Sequence, residues 1–208
     1  MKLEAFLRAV SPLPCFDLPL AEQVIGKPRR QIVTQLSRWT SGGHLIPLRR
    51  GLYSVSEGLR KAPLSSLQVA NELYRPSYLS GLWALGYYGI IPERVVLFTS
   101  ITTRVTRRFV NTLGEFAYSN IRKDLFRDFS KRTIAGAGVW IADPEKALLD
   151  HWHLHSGEWS PERMTAMRFQ SFEMIDTGKL GTMAAPFPPR VRRAVAAWEA
   201  VRMEGEEE

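Results

Sequence analysis

The stretch KPRRQIVTQLSRWTS, residues 27–41, decides how the first part of the chain folds. Pro28 suits the first position of a helix, and Gly42-Gly43 ends that helix. At 100° per residue four apolar residues share one face, namely Ile32, Val33, Leu36 and Trp39. The spacing therefore predicts a helix that packs this face against a core.

The opposite face of the helix is basic and polar and has no carboxylate. It carries Arg30, Gln31, Thr34, Ser37, Arg38 and Ser41. An ordinary solvated face mixes both signs of charge, whereas a helix in a DNA major groove needs cationic and hydrogen-bonding side chains. The pattern favours DNA recognition over a plain solvated helix.

The segments around this helix complete a first domain over residues 1–60. They are two helices at 2–10 and 20–25 and two short strands at 44–48 and 52–55. Arg49-Arg50-Gly51 forms the tip of the predicted hairpin. Three helices and a hairpin in this order indicate a winged helix-turn-helix, and any small α+β domain with the same order is the alternative.

A linker at 60–63 separates this unit from a second predicted domain, residues 64–203. Its predicted helices lie at 65–74, 80–88, from Asp143 onward, at about 161–175 and at 190–203, and its strands at 95–99, 108–110, 115–118 and 139–142. An acidic tail, 204–208, follows and is predicted to be frayed. The fold class is therefore α+β: an N-terminal winged helix-turn-helix, then a mixed α+β domain with a helical C-terminus.

Composition bounds the class of protein. With 208 residues, 45% hydrophobic and 24% charged, the chain is long and apolar enough for a substantial core, which excludes a mostly disordered protein. A single cysteine, Cys15, excludes a disulfide framework and a cysteine-based zinc finger. Glu4 and Arg8 interrupt any secretory signal, and the longest uncharged run, 76–92, is too short and broken to span a membrane. We expect a cytoplasmic protein with no membrane partner.

The net charge of +7 is unevenly distributed along the chain. Residues 1–61 carry +6 and residues 62–132 carry +5, whereas residues 133–208 carry −4. A basic front beside an acidic last third is typical of a protein that binds a polyanion with one part and does something else with the other.

The candidate DNA contacts follow from this arrangement. We expect base contacts from Arg30, Gln31, Thr34 and Arg38, because Arg pairs with guanine and Gln with adenine. Arg29 lies toward the core side of the helical wheel, so it and Lys27 are predicted to contact phosphate. Arg49 and Arg50 at the hairpin tip would contact a backbone or enter a minor groove. The alternative is a solvated basic surface.

A second basic cluster lies in the α+β domain. It comprises Arg104, Arg107, Arg108, Arg122 and Lys123. These side chains would extend the DNA footprint or contact an acidic partner. A solvated sheet edge, whose charges discourage strand pairing, is as compatible with the pattern.

No catalytic residue, metal ligand or cofactor is predicted. His151, His153 and His155 are interpreted as residues that suit the negative end of a helix dipole. Asp143 and Glu145 suit a helix start, and no second carboxylate cluster has the spacing of a two-metal site. Trp83, Tyr87 and Tyr88 are predicted to be core.

The chain resembles the AbiEi-type antitoxins, over about residues 15–155. Four motifs carry the resemblance: LRRGLY at 48–53; ANELY at 70–74 with PSYLS at 76–80 and the following AL, YG and IPE to 93; TSITTR at 99–104 with GEFAY at 114–118; and ADPEKALLD at 142–150. They occur in the order and at the spacing of that family.

The resemblance implies a bacterial antitoxin from a type IV, abortive-infection toxin–antitoxin system. Its winged helix would bind operator repeats in double-stranded DNA and repress its own operon. Its C-terminal domain would counteract a nucleotidyltransferase-like toxin, AbiEii, without an implied direct complex. Two alternatives remain: a stand-alone winged-helix regulator without a toxin, and a metal-dependent nuclease that uses the C-terminal acids.

Overall fold

The computed structural model describes residues 1–206, with side chains described to residue 203. The first part contains, in order, α1 (Leu3–Val10), β1 (Phe16–Asp17), α2 (Leu18–Ile25), α3 (Arg29–Ser41), β2 (Leu45–Arg49) and β3 (Leu52–Val55). The three strands form an antiparallel sheet in the order β1-β3-β2. The predicted acidic tail lies outside the residues whose side chains the structure describes.

Local signals explain how α2 and α3 are placed. Asp17 Oδ1 accepts a hydrogen bond from the Leu20 amide at 3.0 Å and so caps α2. Gly26, with φ of 65°, ends α2 in the left-handed conformation that glycine adopts without strain. On the buried side of α3, Trp39 stacks on Phe6 of α1 with ring centroids 4.8 Å apart. This packing turns the opposite face of α3 outward.

The β2–β3 hairpin connects two hydrophobic clusters. One cluster contains the apolar residues of α1, α2 and α3 with Leu45 and Val55, at the open end of the hairpin. Leu48 and Leu52, beside its tip, belong to the larger cluster formed by the rest of the chain. Asn111 Nδ2 also donates to the Leu48 carbonyl at 3.1 Å. The hairpin is therefore packed against both parts of the protein.

The remainder of the chain is a six-stranded sheet with helices. Its elements are α4 (Ser66–Leu73), β4 (Ser77–Leu79), α5 (Leu82–Tyr87), β5 (Phe98–Thr102), β6 (Arg107–Asn111), β7 (Gly114–Asn120), β8 (Phe129–Ile134), β9 (Ala137–Ala142), α6 (Pro144–Leu154), α7 (Pro161–Ala166), α8 (Thr177–Ala184) and α9 (Pro189–Glu206). The strand order is β6-β7-β5-β4-β9-β8, and the β5–β7 and β4–β9 pairs are parallel.

Helices cover both faces of this sheet. Tyr118 is paired with Ser100, and Tyr78 with Ile101, so the two tyrosines project from opposite faces. The Tyr118 hydroxyl donates to the Ala70 carbonyl of α4, and the Tyr78 hydroxyl donates to an Asp150 carboxylate oxygen of α6 at 3.0 Å. The sheet therefore lies between α4 on one side and α6 on the other.

Helix α6 is buried almost all round. Its Lys146 and Asp150 side chains are fully buried and form an ion pair one turn apart. Ser80 Oγ also donates to Asp150 at 2.7 Å. A buried charge needs such partners, because an unpaired one would cost several kcal/mol. The ADPEKALLD motif thus supplies core and a paired buried charge.

The predicted α+β class and the helical C-terminal end are confirmed, but several predicted elements are wrong. Strands β4 and β8 were not predicted, and the strand expected at 95–99 lies at Phe98–Thr102. The helix predicted at 161–175 ends at Ala166, because the backbone takes positive φ at Arg168 and Ser171. Among the described residues, no helix combines the length and apolarity needed to cross a membrane.

Candidate nucleic-acid interface

The outward face of α3 carries the candidate base contacts. Ile32, Leu36 and Trp39 are buried as predicted. Exposed side chains occupy the other face: Arg29, Arg30, Gln31, Val33, Thr34, Ser37, Arg38 and Ser41. The face therefore offers guanidinium, amide and hydroxyl groups for hydrogen bonding, without a carboxylate on the same helix.

Val33 does not lie in the core, contrary to the helical-wheel prediction. Its side chain is 45% exposed and faces the groove beside the hairpin. Ile32 and Leu36 already fill the core side of the helix, so Val33, one residue further round, projects outward. An exposed apolar side chain on such a face is suited to contact the methyl group of a thymine.

Five of the predicted contact residues line one open groove of about 460 Å³. They are Lys27, Arg30, Gln31, Thr34 and Arg38. Gln35 Nε2 donates to the Met1 carbonyl at 2.6 Å, and both residues also line this groove. The Thr34 hydroxyl donates to the Arg30 carbonyl at 3.0 Å. The structure thus brings these five predicted residues together along one groove on the exposed face of α3.

The other three predicted residues, Arg29, Arg49 and Arg50, line a second groove of about 420 Å³ between α3 and the hairpin. Arg29 is exposed, as a phosphate contact requires, and forms an ion pair with Glu22 of α2 at 2.8 Å. A phosphate at this position would compete with Glu22 for the guanidinium.

Arg49 is not at an exposed tip, contrary to the prediction. Its Nε donates to the Leu73 carbonyl at 2.6 Å and its Nη1 to the Arg50 carbonyl at 2.8 Å. These bonds direct the guanidinium toward α4 and leave it partly buried. Arg50 is exposed, and Gly51 takes a φ of 78° in the turn. Arg50 alone therefore remains as the hairpin contact.

The second basic cluster is divided into separate groups. The guanidinium carbons of Arg104 and Arg107 lie 4.3 and 5.9 Å from the centre of the Tyr74 ring. Arg108 is the next residue in β6 and projects from the opposite face of the strand. Arg122 forms an ion pair with Asp124 at 2.7 Å, and Lys123 is exposed beside it. The prediction of one patch is wrong.

A third groove, of about 340 Å³, lies at the junction of the two clusters. Arg49, Arg75 and Arg104 line it together with Cys15, Asp17 and Glu72. Arg75 was missed, because nothing local in the sequence shows that it meets Arg49. Burial raises the pKa of Cys15 to about 12, which keeps this thiol protonated and unreactive at neutral pH.

Comparisons with known proteins bear on the fold alone. No known family model matches the chain, and no curated protein matches it. The chain is similar to a solved structure, the crystal structure of the RV2827C protein from Mycobacterium tuberculosis, with a TM-score of 0.58 and 12% identity. The match covers 95% of this chain and 76% of that one. The two chains therefore share a fold over almost the whole of the present sequence.

The histidines of α6 do not all suit the helix dipole. His151 is buried, and burial lowers its pKa to about 3, so it is neutral at pH 7 and cannot stabilise the helix end as a cation. Its ring lies 4.3 Å from that of His155. In the part of the chain that the structure describes, no three His, Cys, Asp or Glu side chains are placed to hold a metal ion.

The carboxylates at the start of α6 are paired with cations. Lys179 Nζ contacts Asp143 at 3.1 Å and Glu145 at 2.9 Å, and Arg132 contacts Asp143 at 3.5 Å. Glu145 also accepts from the Asp176 amide at 3.1 Å. These acids therefore hold α8 against α6, which is a structural arrangement.

Tyr87 is not a core residue, contrary to the prediction, whereas Trp83 and Tyr88 are partly buried and pack against the larger hydrophobic cluster. Tyr87 is 44% exposed, and Trp83 is half-buried beside it with ring centroids 5.7 Å apart. The Tyr88 hydroxyl donates to the Ala142 carbonyl at 2.7 Å. Helix α5 has six residues, so one of its faces packs on the sheet while the other stays open to solvent.

Proposed function

We propose that this chain is a sequence-specific DNA-binding protein whose N-terminal part is a winged helix-turn-helix. In this proposal it is the antitoxin and autorepressor of a toxin–antitoxin operon in the bacterial cytoplasm, not an enzyme. One observation carries the DNA-binding part: five predicted contact residues on or beside α3 converge on one groove, and α3 has no carboxylate.

The proposed complex places α3 in the major groove. Arg30 and Arg38 would donate two hydrogen bonds each to guanine, and Gln31 would pair with adenine. Their exposure supports this, because a base-contacting side chain must be free to leave its own surface. Ile32 and Leu36 on the buried face hold the helix in position through the first hydrophobic cluster.

Backbone contacts would come from the two sides of α3. Lys27 lies just before the helix and Arg29 at its first turn, where the free backbone amides also attract phosphate. Arg50 projects from the hairpin tip on the far side of the second groove. Such contacts set the register of the protein on DNA without specifying sequence.

The antitoxin role rests on the resemblance to the AbiEi-type antitoxins. In this proposal the helical C-terminal part counteracts a nucleotidyltransferase-like toxin, with no stable complex required. A stand-alone regulator without a toxin is the second candidate from the same class. A nucleotidyltransferase gene beside the coding sequence distinguishes the two. The nuclease alternative is less well supported, because Asp143 and Glu145 are already paired with Lys179.

A gel-shift titration tests the DNA-binding proposal. The purified chain is titrated on its own upstream DNA and on unrelated DNA of equal length, at two salt concentrations. We expect tighter binding to the upstream fragment, with a preference that survives the higher salt. Equal and equally salt-sensitive binding to both fragments would mean that the basic residues attract DNA through charge alone. That result would overturn sequence-specific recognition.

A further inference from the structure

The β2–β3 hairpin is irregular just before its tip. Pro47 pairs with Tyr53, and the next residue of β2 to pair is Arg49, opposite Leu52. The intervening residue, Leu48, therefore has no partner of its own in β3 and forms a β-bulge. A bulge bends its strand and changes the direction of the side chains that follow it. The direction of the hairpin tip thus depends on how Leu48 is held.

A side chain of the six-stranded sheet holds this bulge. Asn111, at the end of β6, donates from Nδ2 to the Leu48 carbonyl at 3.1 Å and accepts at Oδ1 from the Leu113 amide at 2.8 Å. The second bond fixes the side-chain amide in the turn after β6, so that its Nδ2 faces the hairpin. Strands β2 and β6 are edge strands of their sheets. Asn111 therefore connects the two sheets through the bulged residue.

Further hydrogen bonds hold the backbone of the tip itself. Arg49 Nη1 donates to the Arg50 carbonyl at 2.8 Å, and its Nε donates to the Leu73 carbonyl at 2.6 Å. The Leu18 amide donates to the Gly51 carbonyl at 3.0 Å. The carbonyls of both turn residues are thus occupied. The exposed Arg50 side chain is therefore carried on a backbone of fixed direction.

The tip and the proposed recognition helix line the same groove, of about 420 Å³. Arg50 and Gly51 contribute from the tip, and Arg29 and Val33 contribute from α3. A phosphate contact by Arg50 and base contacts by α3 have to form on the same DNA, so the distance between the tip and α3 has to match the duplex. A tip that is already held in place loses less conformational freedom on binding.

We propose that Asn111 is a positioning residue for DNA binding. It holds the bulge at Leu48 so that Arg50 reaches a phosphate while α3 lies in the major groove. The inference rests on the proposed function and adds that the six-stranded sheet sets how the hairpin meets the DNA. Asn111 itself need not contact the DNA for this effect.

The first test compares Asn111→Ala with Arg50→Ala by fluorescence anisotropy on the upstream DNA at several salt concentrations. Loss of one phosphate contact lowers the salt slope by about one, so a fourfold rise in salt should weaken binding of either variant about three- to fourfold less than that of the parent. The double variant Asn111→Ala/Arg50→Ala should have the slope of Arg50→Ala alone, because both changes remove the same contact. A merely structural role for Asn111 would leave the slope unchanged.

Ser66→Ala is the matched control. The Ser66 hydroxyl donates to the Leu113 carbonyl at 3.2 Å, in the turn that Asn111 also holds, and not to the hairpin. This variant should keep the salt slope of the parent. A second measurement needs no DNA: amide hydrogen exchange at residues 48–52 should be faster in Asn111→Ala than in the parent and unchanged in Ser66→Ala.

The outcomes separate this inference from the proposed function. A lower slope in Arg50→Ala beside the parent slope in Asn111→Ala would overturn the inference and leave the phosphate contact intact. Unchanged hydrogen exchange at the hairpin in Asn111→Ala would overturn it as well. An unchanged slope in Arg50→Ala would overturn the proposed hairpin contact and the inference with it.

Circular dichroism checks the folding of each variant. If Asn111→Ala fails to fold, Asn111→Asp takes its place in the hydrogen-exchange comparison. The aspartate keeps an acceptor for the Leu113 amide and removes only the donor to the Leu48 carbonyl. Exchange at residues 48–52 should then be faster than in the parent, and parent-like exchange would overturn the positioning role.

Discussion

Arg49 and Arg50 are neighbours in sequence, but their guanidinium groups have different surroundings. Arg49 donates to carbonyls of Leu73 and Arg50, whereas Arg50 is exposed at the hairpin tip. We expect Arg49→Ala to lower the free energy of unfolding by about 1.5–3 kcal/mol, the contribution of hydrogen bonds from a charged group. Arg50→Ala should change it by less than about 0.5 kcal/mol. Urea unfolding of both variants measures this; equal losses would contradict the assignment.

Arg50→Ala should weaken binding to all DNA sequences alike, whereas Arg30→Ala should change the preference among sequences. A phosphate contact from Arg50 predicts weaker binding to all sequences and a salt slope lower by about one. Fluorescence anisotropy on operator and unrelated DNA at several salt concentrations measures both quantities. An effect confined to the operator would contradict the phosphate assignment.

Arg30 lies on the exposed face of α3, where a base contact is geometrically available. Arg30→Ala should weaken operator binding by about 1–3 kcal/mol and relax the preference at one base position. Competition with operators substituted at each position locates that base. Arg94→Ala, which removes an exposed arginine from the loop before β5, is the charge-matched control and should leave the preference unchanged. Loss of affinity without loss of preference would contradict the base contact.

Helix α6 ends against a single arginine of α9. Arg190 Nη1 donates to the Trp152 carbonyl at 3.3 Å and to the His155 carbonyl at 3.0 Å, and its Nη2 donates to the His153 carbonyl. These carbonyls have no partner within the helix, so a cation there stabilises both the hydrogen bonds and the helix dipole. We expect Arg190→Ala to lower the free energy of unfolding by about 1.5–3 kcal/mol.

Arg190→Lys should recover only part of this loss, because one ammonium group cannot reach three carbonyls as a planar guanidinium does. Arg193→Ala is the control on the same helix. Its pair with Glu158 is exposed on both sides at 3.5 Å, so its removal should cost less than about 1 kcal/mol. Similar losses for Arg190→Ala and Arg193→Ala, measured by urea unfolding, would contradict the capping role.

Helix α3 was predictable because its signals are local. Pro28, the apolar spacing and Gly42-Gly43 lie within one stretch of chain, and the helix begins and ends within two residues of them. Strand β4 has three residues and β8 carries Lys131 and Arg132 on an exposed edge, so neither shows an apolar pattern of its own. These strands are specified by pairing with β5 and β9, which are distant in sequence.

The candidate site was predictable to the same extent. Arg30, Gln31 and Arg38 follow from the periodicity of one helix, and the structure places them on one groove. The position of Arg49 depends on Leu73, 24 residues away, and no local pattern indicates that contact. Asn71 likewise bonds to the backbone of Trp140, 69 residues away. Sequence reasoning therefore located the surface carried by one helix and missed the sites built between elements.

The stability of the chain as a whole should depend on pH through His151. The unfolded chain binds a proton at this histidine near pH 6.5, whereas burial, with smaller effects of His155 and Arg163, lowers its pKa in the folded state to about 3. Between these values the unfolded state binds more protons, so the free energy of unfolding falls as the pH drops below about 6.5. The expected loss from this group is about 2–3 kcal/mol by pH 4.5.

His151→Phe should remove that component, because phenylalanine keeps an aromatic ring beside Trp159 and does not titrate. Urea unfolding of parent and variant at pH 7 and pH 4.5 measures the difference; the variant should lose about 2–3 kcal/mol less than the parent. His44→Phe, in the first part of the chain, is the matched control and should keep the pH dependence of the parent. Parallel losses in the parent and in His151→Phe would contradict the assignment of this pH dependence to His151.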